Sequence, residues 1–557
     1  GQRLRDIGGE MYLRLQPLKE VYLNSSDFSF NRARSGSRST LVQFIAIGLF
    51  ILLIACLNFI NLSTSKSMIR ARQVGISKVL GATRAGMVRQ FLLETVLLSL
   101  IAMLIAVVLA VLLLPIFSQL LGTDLKIQAA DLLWPALLAI IGAAVVGITA
   151  GLYPALYLTS FAPMAVIRGQ MRTGRQGARL RAVLVVMQFG ISVVLIISTL
   201  AVMRQMDFIR KKDLGFNREQ VLQLKLGSWS LMTRHDVIQQ EIDRIAGVTA
   251  SASADVSPFE VNGNSLYHIP GTSLDNQILI ARQSVDFDYL DLMGMDIVDG
   301  RGFRRDMSTD TVNAILINEA CARMLGWDDP VGKELNDWES VEPPKFTALK
   351  VIGLVRDYHY ASLHEEIRPL MIRLYRGRPV YLYFRFSPEA DLDHTLKDIE
   401  AAWSEFAPGI PINYRFVDES FDRLYRTEQR VGKVFNLFTL LAIVVACMGL
   451  FALAAFAAEQ RRREISVRKV LGATESSLVR LLVRNFLLLV LIANVIAWPA
   501  AWWVVGRIFE NFAYNPPFGW WLYPAAGMMT LLIALLTVSF QAIRAAMLNP
   551  ASVLRHE

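Results

Sequence analysis

Side chains able to do chemistry are sparse in this chain of 557 residues. The most tempting cluster is His359 with His364, Glu365 and Glu366, residue types that ligate zinc when they converge. Their spacing is not the i, i+4 pair that sets two ligands on one helical face, and no cysteine or further histidine lies near in sequence. The segment reads instead as a solvated loop after a strand. Asp328 and Asp329 before Pro330 read as turn chemistry. No Ser/His/Asp or Cys/His arrangement stands out, so no catalytic residue, resident cofactor or metal is expected. The chain also lacks a Gly-x-x-x-x-Gly-Lys-Ser/Thr run, so it cannot cradle ATP phosphates by that route. Of its cysteines, Cys56 and Cys447 lie inside apolar runs as small packing residues, which leaves Cys321 without an intramolecular partner.

What the chain has in place of an active site is a repeat. Lys-Val-Leu-Gly-Ala-Thr occurs at Lys78–Thr83 and again at Lys469–Thr474, 391 residues apart. The same offset carries Cys56 onto Cys447 and Arg72 onto Arg463, and apolar runs flank both copies, which marks an internal duplication. Hydrophobic residues make up 54% of the chain and charged ones only 19%, a balance that calls for several membrane spans beside a soluble part. Runs long enough to cross a bilayer fall at about 41–62, 91–117, 132–158, 180–203, 432–457, 484–506 and 521–544. The net charge of +9 sits beside these runs, where it reports topology rather than nucleic-acid binding.

Sidedness follows from the short connections. Lys66–Gln90 holds six Lys/Arg and no acid, Arg168–Arg181 holds five and no acid, and Arg461–Arg484 holds seven against Glu464 and Glu475. The opposite connections, about 118–131 and 507–520, carry one basic residue each. The hexapeptide loops therefore face the cytoplasm and the long segment 204–431 faces outward. In that segment Val221–Leu226, Lys350–Val355 and Pro379–Phe386 read as strands, and Glu319–Leu325 (capped by Asn318) and Leu392–Phe406 as helices. Together they suggest a small sandwich of sheet and helices. The span from Arg181 is expected to run on to Arg210 as a stalk, with Phe421–Lys433 as the returning one.

Each hexapeptide has a local logic. Ile76, Val79 and Leu80, like Val467, Val470 and Leu471, fall at i, i+3 and i+4 on one helical face. Gly81 and Gly472 suit a left-handed helix C-terminus, and Thr83 and Thr474 suit the N-cap of the next helix. The polar face carries Arg72 and Lys78, or Arg463, Arg468 and Lys469. A basic anchor on anionic lipid accounts for the charge but not for the apolar triplet, glycine and cap recurring together; a protein-docking helix accounts for both.

The segments Arg-Ala-Arg-Gln-Val-Gly-Ile-Ser-Lys-Val-Leu-Gly-Ala-Thr (70–83) and Arg-Arg-Glu-Ile-Ser-Val-Arg-Lys-Val-Leu-Gly-Ala-Thr (462–474) resemble the signature of FtsX/MacB-type ABC-transporter permeases. Pro163–Arg168 and Pro550–Arg555 resemble the motif that closes each half. Gly300–Phe303, Ile317–Ala320 and Val355–His359 resemble motifs of the family's periplasmic core domain. The resemblance implies an α-helical membrane protein with seven transmembrane helices in this chain and an α/β extracytoplasmic domain. It implies residues 1–38 as the end of a first extracytoplasmic domain, 39–170 as a first permease half with three spans, and 171–210 as lead-in, span and stalk. It further implies 211–431 as a second extracytoplasmic, MacB-like core domain and 432–557 as a second half with three spans. On this reading the chain is a piece of a longer precursor, without an N-terminal span and most of a first outer domain; no signal peptide opens it.

The resemblance also implies partners and a plasma (inner) membrane location. A separate cytoplasmic ABC ATPase, a dimer that binds the ATP, would contact Arg72, Gln73, Ile76, Lys78, Val79, Leu80, Gly81 and Thr83 in one half. In the other half it would contact Arg463, Glu464, Val467, Arg468, Lys469, Val470, Leu471, Gly472 and Thr474. Gln73 and Ser77 stand where the second copy has Glu464 and Arg468, so unequal coupling is expected. An extracytoplasmic adaptor or effector would be a further partner, in export or in the regulation of a cell-wall hydrolase. An ion-coupled carrier is disfavoured, because the spans lack Asp, Glu, Lys or Arg at depth. Gln188, Asn58, Asn61 and Asn494 are expected to bond between helices.

Overall fold

The computed structural model describes residues 17–18, 38–65, 74, 76–121, 133–159, 175–261, 263–273, 277–340, 345–375, 377–510 and 512–547. The expectations for nearly all of the first 38 residues, for Arg72 and Gln73, and for the closing motifs at 163–168 and 550–555 lie outside these. From the start the chain forms four long helices: α1 (Arg38–Ser65), α2 (Arg84–Leu121), α3 (Leu133–Thr159) and α4 (Arg175–Lys211). Two compact units follow from the packing, and 206–427 with 510–516 make up the first.

The strands of that unit are β1 (Val221–Lys225), β2 (Val248–Ala254), β3 (Asn264–His268), β4 (Gln277–Val285), β5 (Ile297–Gly300), β6 (Ala314–Asn318), β7 (Glu334–Ser340), β8 (Lys345–Val355), β9 (Leu370–Leu374), β10 (Tyr381–Phe386) and β11 (Tyr414–Phe416). Its helices include α5 (His235–Asp243), α6 (Glu319–Leu325), α7 (Leu392–Phe406) and α8 (Val417–Leu424). An antiparallel sheet runs β11-β1-β10-β2. Alternation along it divides two cores: Leu222, Leu224, Leu382 and Phe384 pack under α5 and α7, while Val221, Tyr381 and Tyr383 face the cluster that includes α8. One pairing, Ala254 with Val285, leads from β2 into a ring of β4, β3, β7, β8, β6 and β9, which parallel pairing of β9 with β4 closes. The helix-covered sheet is the layered arrangement expected; the closed ring is an addition to it.

The motifs of this domain are staples. Asn318 is buried, and its Oδ1 accepts from Cys321 N at 3.0 Å and from Leu370 N at 2.9 Å, so one side chain caps α6 and joins β6 to β9. Asp357 accepts from Ala320 N at 2.8 Å while its own N–H donates to Glu319 at 2.9 Å. Gly300 has a φ of +77°, and a Cβ there would lie 2.4 Å from the carbonyl oxygen of Ile352. Arg301 beside it grips the buried Asp310 with both terminal guanidinium nitrogens, at 2.6 and 2.8 Å. Burial works against that carboxylate, yet the bonds from Arg301 and from Arg304 N–H hold it below the usual range.

The remaining helices are α9 (Arg426–Gln460), α10 (Arg462–Val470), α11 (Glu475–Phe509) and α12 (Leu522–Ala546). Seven helices among the described residues, α1 to α4, α9, α11 and α12, are long and apolar enough to cross a membrane. The chain is thus a multi-pass α-helical membrane protein with an α/β extracytoplasmic domain. The outgoing stalk is continuous, since α4 runs unbroken to Lys211. The returning one is not: Phe421–Lys433 breaks at Tyr425, a buried residue whose hydroxyl accepts Leu363 N–H at 2.7 Å, between α8 and α9.

Polar groups inside the spans link helices. Gln188 of α4 donates to Ala446 O of α9 at 3.1 Å, Asn58 of α1 to Val445 O at 3.4 Å, and Asn494 of α11 to Thr530 of α12 at 3.1 Å. Asn61 is fully buried, with neither side-chain end bonded among the described residues. The repeat offset carries Asn58 onto Gly449, and these two positions touch: a Cβ on Gly449 would lie 2.5 Å from Asn58 Oδ1 and 3.0 Å from Gln188 Nε2. Around them Ile47 and Ile54 meet Phe435 and Ala442. Equivalent helices of the two halves, α1 and α9, therefore meet at equivalent positions. Replacing Gly449 with Leu should destabilise the protein by about 2 kcal/mol through overpacking. Gly48→Leu, where the added Cβ meets open space, should leave thermal unfolding in detergent within a degree or so of wild type.

Candidate functional site

Both hexapeptides fold into a helix, a tight turn and a second helix. In the second copy α10 ends at Val470, Gly472 takes φ +90°, and α11 starts at Glu475. In the first copy residues 74 and 76–79 are helical, Gly81 takes φ +94°, and α2 starts at Arg84. The turn is a Schellman motif each time. Ala82 N–H reaches Ser77 O at 2.9 Å and Gly81 N–H reaches Lys78 O at 3.1 Å; Ala473 to Arg468 and Gly472 to Lys469 repeat those distances. Thr83 and Thr474 then cap the next helix, accepting from Gly86 N at 3.2 Å and Ser477 N at 3.4 Å.

Position in the corner decides burial. Ile465 packs among Leu478, Leu482 and Val538, and its counterpart Val74 is buried too. The apolar triplets point the other way. Ile76, Val79 and Leu80 are exposed, as are Val467, Val470 and Leu471, with the tip residues Leu80 and Leu471 at 81% and 80%. Exposed aliphatic side chains at six matched positions form two small apolar patches that no described residue covers.

The lysines do something sequence reasoning missed. Lys78 Nζ donates to Thr159 O, the last residue of α3, at 2.8 Å, and Lys469 Nζ donates to Ala546 O, the last residue of α12, at 2.6 Å. An ammonium at a helix C-terminus satisfies an orphan carbonyl and meets the negative end of the dipole. The signal was present: Thr159 and Ala546 are related by the same offset, 387, that relates Pro163 to Pro550. Each corner is thereby tied to the closing helix of its own half.

The halves differ in charge. Glu464 pairs with Arg468 at 2.8 Å and Lys469 also pairs with Glu475 at 3.0 Å. In the first half Ser77 stands in place of Arg468 and Arg84 in place of Glu475, so neither pair can form there. The side chain of Arg463, like Arg72 and Gln73, lies outside the described residues.

The outer histidines sit in the loop expected after β8, but their rings are not solvated as expected. His359 is buried, with its ring edge-on to Tyr514 at 4.8 Å, and His364 packs against Phe512 at 3.9 Å with Nδ1 2.7 Å from Ser362 Oγ. Both fix the segment 510–516 against the sheet domain; Glu365 and Glu366 are exposed. No group of three or more His, Cys, Asp and Glu able to hold a metal occurs among the described residues.

Burial, helped by the charge of Lys212, pushes His359 down to about 4, and burial also lowers His364. The folded protein keeps His359 neutral, whereas the unfolded chain protonates it near pH 6.5. Its contribution is complete above that pH and declines as pH falls toward 4. Asp286, raised by burial to about 6, works in the opposite sense: its contribution is present at low pH and lost as pH rises through about 6. The difference between wild type and His359→Phe isolates the histidine. The wild-type unfolding temperature should fall further between pH 7 and pH 4.5 than that of the variant; parallel profiles would contradict this assignment.

Comparison with known proteins follows the repeat. The FtsX-like permease C-terminal family matches residues 45–163 and again 436–550. No curated protein sequence matches the chain. Solved structures similar to part of it include the periplasmic region of MacB from Actinobacillus actinomycetemcomitans, at 11% identity, covering 39% of this chain and 97% of that one with a TM-score of 0.29. The extracellular domain of the noncanonic ABC-type transporter YknZ from Gram-positive bacteria gives 15% identity, 35% and 98% coverage and a TM-score of 0.26. A domain of a permease protein from Porphyromonas gingivalis gives 17% identity, 38% and 99% coverage and a TM-score of 0.27. The doubled match sets one region similar to the FtsX-like permease C-terminal family in each half of the repeat.

Proposed function

We propose that the chain is the permease subunit of an ABC-type complex, in which a separate cytoplasmic ATPase dimer seats on the two corners and ATP hydrolysis drives movement of the extracytoplasmic domain. The observation that carries this reading is the pair of matched, exposed apolar triplets. A lipid anchor would need charge and a broad apolar face. Here the patch is three side chains wide, set on a Schellman turn, and tied by a lysine to a membrane helix, as suits a knob entering a pocket on a partner. Movement of the partner would pull on Lys78 and Lys469 and so on α3 and α12. The polar groups of the spans support force transmission over passage through the core, because Gln188, Asn58 and Asn494 bond helix to helix.

The two corners would not serve equally. Internal ion pairs stiffen the second, while the first lacks both. Leu471→Asp should reduce the ATPase activity that copurifies with the protein from its own membrane by about tenfold, in line with loss of one anchoring side chain. Leu80→Asp should reduce it less. Both residues are exposed, so unfolding temperatures should not change. Retention of full ATPase activity by the double variant would reject the docking role; equal effects of the single variants would reject only the asymmetry.

A further inference from the structure

The sheet domain holds a polar cleft of about 300 Å³ that neither its packing nor the cytoplasmic corners use. It arises from alternation along β1. Val221, Gln223 and Lys225 share one face; Val221 lies in the core, and the strand then emerges into the cleft. Gln223 forms the floor at 8% exposure, and its Oε1 accepts from Ser257 Oγ at 3.2 Å. Among the described residues the amide nitrogen has no partner. With the amide assigned the other way round, one end is still left over. A side chain more than nine-tenths buried thus offers an unmet hydrogen bond to the cleft.

The rim adds charge. Lys225 on β1, Arg415 on β11 opposite Gln223, and Arg423 in the last turn of α8 line it, against Glu260 as the one acid. None of the three cations has a carboxylate within salt-bridge distance among the described residues. Tyr381 and Tyr414 supply the walls. The Lys225 ammonium sits 5.6 Å from the Tyr381 ring centre, and the Tyr381 hydroxyl donates to Glu260 at 3.3 Å. Burial and Glu260 push that hydroxyl up to about 12, so it stays a neutral donor. Three unpaired cations converging on a buried amide leave an excess of donors and positive charge, a pattern that recognises oxyanions.

We propose that this cleft binds a small acidic ligand, with carboxylate or phosphate oxygens held by Lys225, Arg415 and Arg423 and its body lying over Gln223 between Tyr381 and Tyr414. The volume is at the small end for ligand sites, enough for an amino acid or a sugar phosphate and too little for a polymer.

The test uses the full chain in nanodiscs, titrated calorimetrically with glutarate, inorganic phosphate and glucose. Saturable binding of glutarate or phosphate, but not glucose, is expected, and whichever acid binds more tightly names the chemistry. Gln223→Glu, which sets a negative charge on the floor, and Arg415→Gln, at an exposed position, should each weaken it by about tenfold. Thermal unfolding checks that both variants fold. Absence of saturable binding of either acid at millimolar concentration, equal binding of glucose, or affinities that Arg415→Gln leaves unchanged would overturn the proposal.

Discussion

Two hydrogen bonds, Lys78 to Thr159 O and Lys469 to Ala546 O, hold the rest of the cytoplasmic arrangement in place. A membrane helix ends in carbonyls that its own backbone cannot satisfy, and the lysine supplies both a donor and a charge suited to that end. With the ammonium bonded there, the short helix before it has one face turned in and one turned out. Val74 or Ile465 goes inward, and the triplet goes outward. The Schellman turn and threonine cap then set the direction of the next span. Without the lysine bond, each corner would be a short amphipathic helix free to lay its apolar side on lipid.

The same economy governs the outer domain. Asn318, Asp357 and Arg301 each meet several backbone groups, so a few polar side chains define where strands and helices join. That pattern explains why the most distinctive motifs of the domain contain no reactive constellation: their polar atoms are already spent on neighbours. The cleft beside Gln223 differs because its donors remain unmet.

Long-period and short-period patterns made much of this readable in advance. The spans were legible from hydropathy, and the corners from the coincidence of triplet, glycine and threonine. Leu392–Phe406 and Glu319–Leu325 were legible from caps and periodicity. The ring of strands was not, because β3 and β7 are short, polar and paired across long sequence separations, where no local period reports the partner. The burial of His359 and His364 was hidden for a related reason: their partners Phe512 and Tyr514 lie some 150 residues away. At the break, the Tyr425 hydroxyl meets Leu363 N–H, a long-range contact that no helix propensity encodes.

The contact between Asn58 and Gly449 bears on how such a chain could have arisen. In a dimer of identical subunits, a residue on the twofold axis must face its own copy, so this position would offer asparagine against asparagine or glycine against glycine. The first pairing has no room at the observed approach, and the second leaves a void in the middle of the bundle. Joining the halves in one gene frees the two positions to diverge, so that a large polar residue can fill the hollow left by a small one. The fused chain can thus reach a closer packing at its centre than symmetry would allow two separate copies.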